Sequence, residues 1–463
     1  MNKWGFFLVA GIIAGLGACT TDQGADPVPA PAPAAAPATP PEDADSVTTP
    51  SACDLFDPGE REWFELEETG GSFANSPVIA GYTLPAASAS RYNTVLEICP
   101  NLWFVLTHDG ESRLLDLETG VWSPGPTLSP SGATNQIPAP GVDSGGPTWG
   151  FRDSTLGDDQ VYLSDGVIDT AAECVRVDVH ALNLSDLLSS PTEDTVETTV
   201  IYRSTPCVSY TDDWRSASPL RTHLGGALGI SPGQDSLLLT IGDFHLAASS
   251  ISQAVAIGLA NTETDYDILA SETAAVGALI EIPLQGGPPQ IVAKGLRNSL
   301  GITATAAGSV WMSDHGPSGG DELNFYTQGA NYGWPLTTQG EPYDRSSWPN
   351  DPNQLLAPWL DNGDAVVPGT TPPTLWWTPA IAPTAVVDIS GESAETSLLA
   401  LGGLRSEAII VVALTDGVAE ELTRIRLGER VRDMAGNQAG SLLVAVTDQS
   451  TLWVLSAENV RGS

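Results

Sequence analysis

Three segments of the 463-residue chain concentrate residue types that can do chemistry. His223 stands in Thr222-His223-Leu224-Gly225-Gly226, and Asp243 closes the run Ile241-Gly242-Asp243. An imidazole is the side chain best suited to taking a proton near neutral pH, and a carboxylate beside it fixes the ring and favours its protonated form. A lone histidine in a strand-rich chain is more often structural. Of the five histidines only His223 sits in a His-x-Gly-Gly context, which singles it out. The second segment begins with Gly295-Leu296-Arg297-Asn298-Ser299-Leu300-Gly301. It continues with His315-Gly316-Pro317-Ser318-Gly319-Gly320-Asp321-Glu322-Leu323-Asn324, then Gly329-Ala330-Asn331-Tyr332-Gly333-Trp334-Pro335, with Tyr343 beyond. Gly and Pro shape tight loops whose carbonyls point together, and carbonyl and carboxylate oxygens are the donors that calcium prefers. The third segment is Gly428-Glu429-Arg430-Val431-Arg432-Asp433. Residues two apart on a strand face one side, so Arg430 and Arg432 present two forked guanidiniums together, a shape that suits carboxylates. An arginine pair on a solvated face is the bland reading, but the chain has only 18 basic residues against 57 acidic ones.

The elements that must position these residues are strands. Residues 101–110, 158–166, 235–243, 308–314 and 440–448 share one plan: a small or polar turn, an apolar run, then Asp or Gly. Long amphipathic helical patterns are scarce. Regular short strands with turn signals predict an all-β fold. A degenerate repeat of roughly 40–50 residues predicts a β-propeller rather than a sandwich, with its polar chemistry gathered in loops at one end of the central channel.

Together the three segments resemble the pyrroloquinoline quinone (PQQ)-dependent soluble glucose dehydrogenase and aldose sugar dehydrogenase family, also called the glucose/sorbosone dehydrogenase domain. The resemblance covers most of residues 90–455 and implies a six-bladed β-propeller holding PQQ and calcium. It implies that His223 is the catalytic base and Asp243 the acid that orients it. It implies that the carbonyls of Gly316 and Pro317 hold the calcium that contacts PQQ, and that Glu322 and Tyr332 hold a second, structural calcium. Arg297, Asn298, Tyr343, Arg430 and Arg432 fall at cofactor contacts. Arg405, in Gly402-Gly403-Leu404-Arg405, falls where the family carries a lysine and is expected to hold the cofactor with them. The implied reaction oxidises an aldose-type sugar at C1 to its lactone and passes electrons to an unnamed periplasmic acceptor. Two departures touch the substrate side. Asp143-Ser144-Gly145-Gly146-Pro147 lacks the glutamine of the family's Gly-Gln-Gly-Gly, and Ala380 replaces a polar residue in Pro379-Ala380-Ile381-Ala382-Pro383. Two other readings stay open: a non-catalytic calcium-binding propeller that binds a partner or glycan, and a calcium-dependent lactonase.

The ends and the composition place the domain. Residues 1–18 read as a lipoprotein signal peptide: a cationic start, an apolar run too short for a spanning helix, and Leu16-Gly17-Ala18-Cys19. That order resembles a bacterial lipobox, which implies cleavage before Cys19 and lipid on its sulfur. Thr20, rather than Asp, follows, so the outer membrane is the expected destination, with the domain facing periplasm or exterior. Residues 19–52 are rich in Pro and Ala and read as a disordered tether, leaving 53–463 for the propeller. The remaining cysteines, Cys53, Cys99, Cys174 and Cys207, allow two disulfides in three connectivities, and chain proximity favours Cys53–Cys99 with Cys174–Cys207. A formal charge of −39 repels nucleic acid and anionic lipid, so the expected membrane attachment is through lipid alone.

Overall fold

The computed structural model describes residues 51–69, 76–87, 91–129, 150–190, 195–209, 223–246, 268–269, 271–317, 319–335, 338–340, 369–391, 397–415 and 417–462. The chain divides into two units, Met1–Thr49 and Pro50–Ser463, and the described residues lie in the second. Cys19, the expected signal peptide and almost all of the expected tether lie outside the described residues, as do Tyr343 and the segment around Ser144.

The expected all-β, six-bladed β-propeller is what the chain forms. Blade 1 runs outward from Tyr92–Cys99 through Leu102–Thr107 and Ser112–Asp116 to Val121–Pro124, and blade 2 from Gly150–Gly157 through Gln160–Asp169 and Cys174–Asn183 to Thr199–Arg203. Blade 3 comprises Gly225–Ile230, Ser236–Ile241, Ala278–Pro283 and Gln290–Lys294, and blade 4 Gly301–Ala304, Val310–Asp314, Asp321–Phe325 and Leu375–Trp377. Blade 5 comprises Pro383–Asp388, Ser397–Gly403, Ala408–Thr415 and Val418–Arg426. Blade 6 starts with Val431–Gly436, Leu442–Thr447 and Thr451–Ser456, and its next strand is Val78–Thr83 from the other end of the chain. The first strands touch one another around a closed ring.

The strand runs read from the sequence are the second strands of blades 1, 2, 3, 4 and 6. Such a strand is covered on both faces by neighbouring blades, which is why Leu102–Thr107 and Ser236–Ile241 are buried at every position and read as continuous runs rather than alternations. The expected spacing of 40–50 residues holds only from blade 5 to blade 6 and is too short elsewhere. Second strands begin at Leu102, Gln160, Ser236, Val310, Ser397 and Leu442, because long inter-strand segments are inserted into several blades. Six apolar clusters, one at each seam between adjacent blades, form the core. The seam between blades 6 and 1 adds polar stitches: the Val95 N–H donates to Asp433 at 2.8 Å, and the Gln438 N–H to Glu97 at 2.5 Å. Disulfides join Cys53 to Cys99 and Cys174 to Cys207.

Antiparallel pairing sets the start of each first strand beside the end of the second, as in Gly225 opposite Ile241, Gly301 opposite Ser313 and Val431 opposite Thr447. The residues just outside these pairs, from several blades, meet at one mouth of the channel.

Candidate active site

His223 lies immediately before the first strand of blade 3 and Asp243 immediately after the second. The backbone there is unusual. His223 has φ 58°, and Gly225 and Gly226 follow at 69° and 98°. Gly242 lets the two ends approach, since a Cβ there would lie 2.0 Å from the His223 carbonyl oxygen. His223 Nδ1 is 3.0 Å from Asp243 Oδ1. The same Oδ1 accepts the His245 N–H at 2.8 Å, and Oδ2 accepts the Trp334 indole N–H at 2.8 Å. Arg297 Nη2 lies 3.3 Å from His223 Nε2. A guanidinium only donates, so Nε2 accepts here and the ring proton sits on Nδ1, pointing at Asp243. The His245 ring lies 4.4 Å from that of His223 and covers one of its faces. Burial pushes the Asp243 carboxyl up, opposed by the charges of Arg297 and His245 and by the hydrogen bonds from His245 and Trp334.

Arg297 and Asn298 precede blade 4. Asp314, at the end of that blade's second strand, takes both of their main-chain N–H groups, at 2.8 and 2.6 Å. Burial raises the Asp314 carboxyl to about 7. Arg297 Nη1 donates to the carbonyls of His315 and Gly316, both at 3.1 Å, and its guanidinium lies 5.3 Å from the Trp334 ring centre. The carbonyls of His315 and Gly316 therefore converge on the Arg297 guanidinium, and Asp321 accepts the Gly316 N–H at 2.9 Å. Gly320 is obligatory in this loop, because a Cβ there would lie 2.0 Å from the Gly340 nitrogen. Glu322, on the next strand, is buried beside Asp314, and burial with that neighbour pushes its carboxyl up to about 8. Asn324 Nδ2 donates to Glu322 at 3.0 Å, while Asn324 Oδ1 is buried with no hydrogen-bond partner. A carboxylate and an orphaned amide oxygen side by side are oxygen donors of the kind a calcium ion takes. Tyr332 is placed differently. Its hydroxyl donates to the Phe325 carbonyl at 2.8 Å and accepts the Thr327 N–H at 3.2 Å, rather than meeting Glu322.

Arg430 and Arg432 do share a side, and both reach Asp448. Arg430 Nε is 2.8 Å from Oδ2, Arg432 Nη2 is 3.1 Å from Oδ2, and Arg432 Nε binds Oδ1. Arg91, just before blade 1, joins them at 3.0 Å. Burial would raise the Asp448 carboxyl, but Arg432, Arg91 and Arg430 outweigh it and hold it below its ordinary range. Three guanidiniums on one carboxylate leave an excess of positive charge at the mouth of a chain whose formal charge is −39. Arg405 is exposed in the 404–407 turn of blade 5, with its N–H on the Ile381 carbonyl at 3.0 Å, and stands outside this cluster.

The sequence reading missed Arg91, Asp448, Trp334, His245 and Arg152. A signal for Asp448 was present. Asp243, Asp314 and Asp448 each follow the apolar second strand of a blade, and each anchors groups just ahead of that blade's first strand. Position in the repeat, rather than local context, marks them.

A six-bladed propeller with a carboxylate-held histidine and an arginine cluster at one channel mouth is the class that fold and site define. The chain belongs to the Glucose / Sorbosone dehydrogenase family, whose profile matches residues 158–454. It is 30% identical over 171 residues to the aldose sugar dehydrogenase YliI of Escherichia coli, an alignment covering 36% of this chain and 43% of that relative, less than half its length. The structure of the soluble aldose sugar dehydrogenase of Escherichia coli in its apo form superposes with TM-score 0.58 at 19% identity, covering 85% of this chain and 98% of that one. The PQQ-bound aldose sugar dehydrogenase of Streptomyces coelicolor gives TM-score 0.53 at 16% identity, covering 81% and 97%. At these identities the likeness is one of fold.

Proposed function

We propose that the chain is a PQQ- and calcium-dependent dehydrogenase that oxidises an aldose-type sugar at C1 to the lactone and passes the electrons to a periplasmic acceptor. The observation that carries this reading is the meeting, at one mouth, of a base in the right tautomer and a cluster of arginines suited to a polycarboxylate. His223 Nε2, with its lone pair free of the ring proton, would take the proton of the C1 hydroxyl. The 3.3 Å contact from Arg297 is at the long end of hydrogen bonding, so a substrate hydroxyl can displace it. PQQ, when bound, supplies the hydride acceptor. Arg430 and Arg432, with Arg91, would hold its carboxylates, and Arg297 and Asn298 would face it, with Tyr343 and Arg405 as further contacts. Gly316 and Pro317 would offer carbonyls to the calcium that contacts the cofactor. Glu322 would hold a second ion, with Tyr332 contributing through its main chain and Asn324 through Oδ1. Export and a lipid anchor on Cys19, with 19–52 as tether, belong to the same proposal.

The deciding experiment titrates PQQ into the purified domain with and without Ca²⁺ and follows dye reduction over a panel of aldoses. Calcium-dependent PQQ binding with reduction by at least one aldose is expected, and absence of PQQ binding in both conditions would sink the reading. A second expectation concerns Glu322. In the PQQ-free protein, Ca²⁺ should raise the melting temperature over an EDTA control, and Glu322→Gln should remove most of that rise, because a neutral amide binds a dication far more weakly than a carboxylate. An equal calcium response in the variant would remove Glu322 from the second site.

A further inference from the structure

We propose that Arg152 is a positioning residue for the His223 base, acting through the Gly225 carbonyl. The inference rests on the reading of His223 as a base. Arg152 belongs to the first strand of blade 2, not to the blade that carries His223. Its Nε donates to the Gly225 carbonyl at 2.5 Å. The amide of Gly225 faces the other way and donates to Asn298 Oδ1 of blade 4 at 3.2 Å. One residue two positions from the base is thus held from both neighbouring blades.

The segment needs such holding. A bulky residue at positive φ is uncommon and persists where its surroundings impose it. His223, Gly225 and Gly226 all have positive φ. Within blade 3 the His223 and Leu224 carbonyls accept the Phe244 and Gly242 N–H groups at 3.1 and 2.9 Å, but the ladder shifts register between Gly225 and Leu228, so regular pairing does not fix Gly225 and Gly226. Side chains from blade 2 take over: Arg152 on Gly225, Ser164 Oγ on the Gly226 carbonyl at 2.5 Å, and Asp153 on the Leu228 N–H at 2.7 Å. Arg152 also covers Gly226, where a Cβ would come within 2.7 Å of its Cδ and Nε. Its charged neighbours are Asp153, Asp165 and Arg432, and burial lowers its guanidinium to about 10, still ionised at neutral pH. With the His223 and Leu224 carbonyls anchored within blade 3, a shift of the Gly225 carbonyl would be taken up by the Leu224–Gly225 peptide and would change how the His223 ring meets Asp243 and Arg297.

The test separates the donor from the charge. Gln carries its amide nitrogen the same number of bonds from the backbone as arginine's Nε, so Arg152→Gln keeps the donor and loses the charge. Arg152→Met keeps the length and loses both. For R152M, kcat should fall about 10- to 100-fold, as expected for a base displaced by a fraction of an ångström to an ångström, while KM for sugar and Kd for PQQ stay within about twofold. R152Q should recover kcat to within about threefold of the wild type. Histidine-selective 15N labelling of the PQQ-free protein, with His223 assigned by H223Q, gives an activity-independent readout. The Nδ1-protonated signature of His223 should persist in R152Q and weaken in R152M. Equal kcat and equal His223 signals in both variants and wild type would overturn the proposal, as would equal loss in both, which would mean that charge rather than the donor matters. Should R152M not fold, R152Q is compared with R152E, which puts an acceptor where the donor was, and equal turnover and His223 signals in that pair overturn it. If the wild type oxidises no sugar but the 15N signatures follow the donor pattern, the dehydrogenase reading falls and the positioning role stands.

Discussion

His223→Ala should lower kcat by about three orders of magnitude while leaving PQQ affinity within a fewfold of wild type, since general-base contributions run at about 10²–10⁴. Asp243→Asn should be nearly as damaging, for a reason the geometry makes specific. Asp243 accepts on both oxygens: Oδ1 from His223 and the His245 N–H, Oδ2 from the Trp334 indole. An asparagine can keep only one acceptor oxygen. If that oxygen faces Trp334, its NH2 meets the His245 N–H donor to donor and forces the His223 proton from Nδ1 to Nε2. Nε2–H can take no proton from a hydroxyl and would point at the Arg297 guanidinium. If the amide is turned over, Trp334 loses its acceptor. Stopped-flow reduction of the PQQ-loaded enzyme measures the step directly. Reduction by His223→Ala at more than a tenth of the wild-type rate would exclude it as the base.

Arg432→Leu should weaken PQQ binding about 10²- to 10³-fold, with a smaller loss for Arg430→Leu. Removing one partner of a desolvated, hydrogen-bonded charge pair costs about 2–5 kcal/mol. Arg432 meets Asp448 through two nitrogens and is 16% exposed, whereas Arg430 uses one and is 38% exposed, so more of Arg430's charge is already met by water. Equilibrium titration of PQQ by absorbance or calorimetry gives the affinities. Unchanged affinity in Arg432→Leu would show that this cluster is not the carboxylate cradle.

The all-β class and the positions of five second strands were legible because a strand buried on both faces reads as an uninterrupted apolar run. The pairing of His223 with Asp243 was implied by the resemblance, and the fold supplies its physical cause, since both flank one hairpin. Arg91 and Arg152 were not, for a physical reason: each acts across a seam between blades, and nothing local in Arg91-Tyr92 or Phe151-Arg152-Asp153 says which neighbour it will face. Tyr332 shows where a motif match stops short: it names a residue, whereas the structure shows that the hydroxyl is engaged within its own loop, donating to the Phe325 carbonyl and accepting the Thr327 N–H.

Blade 6 is sewn from the two ends of the chain: Val78–Thr83 lies against Thr451–Ser456, and Arg91 reaches Asp448 across the adjoining seam. During synthesis the arginine cluster therefore cannot assemble until Asp448 and the strand Thr451–Ser456 have been made, whereas the hairpin bearing His223 and Asp243 can form about 200 residues earlier. Nascent chains, or chains cut before Asp448, would carry the His223–Asp243 pair without the arginine cluster, so binding of the proposed anionic cofactor would be a late event that reports a finished ring.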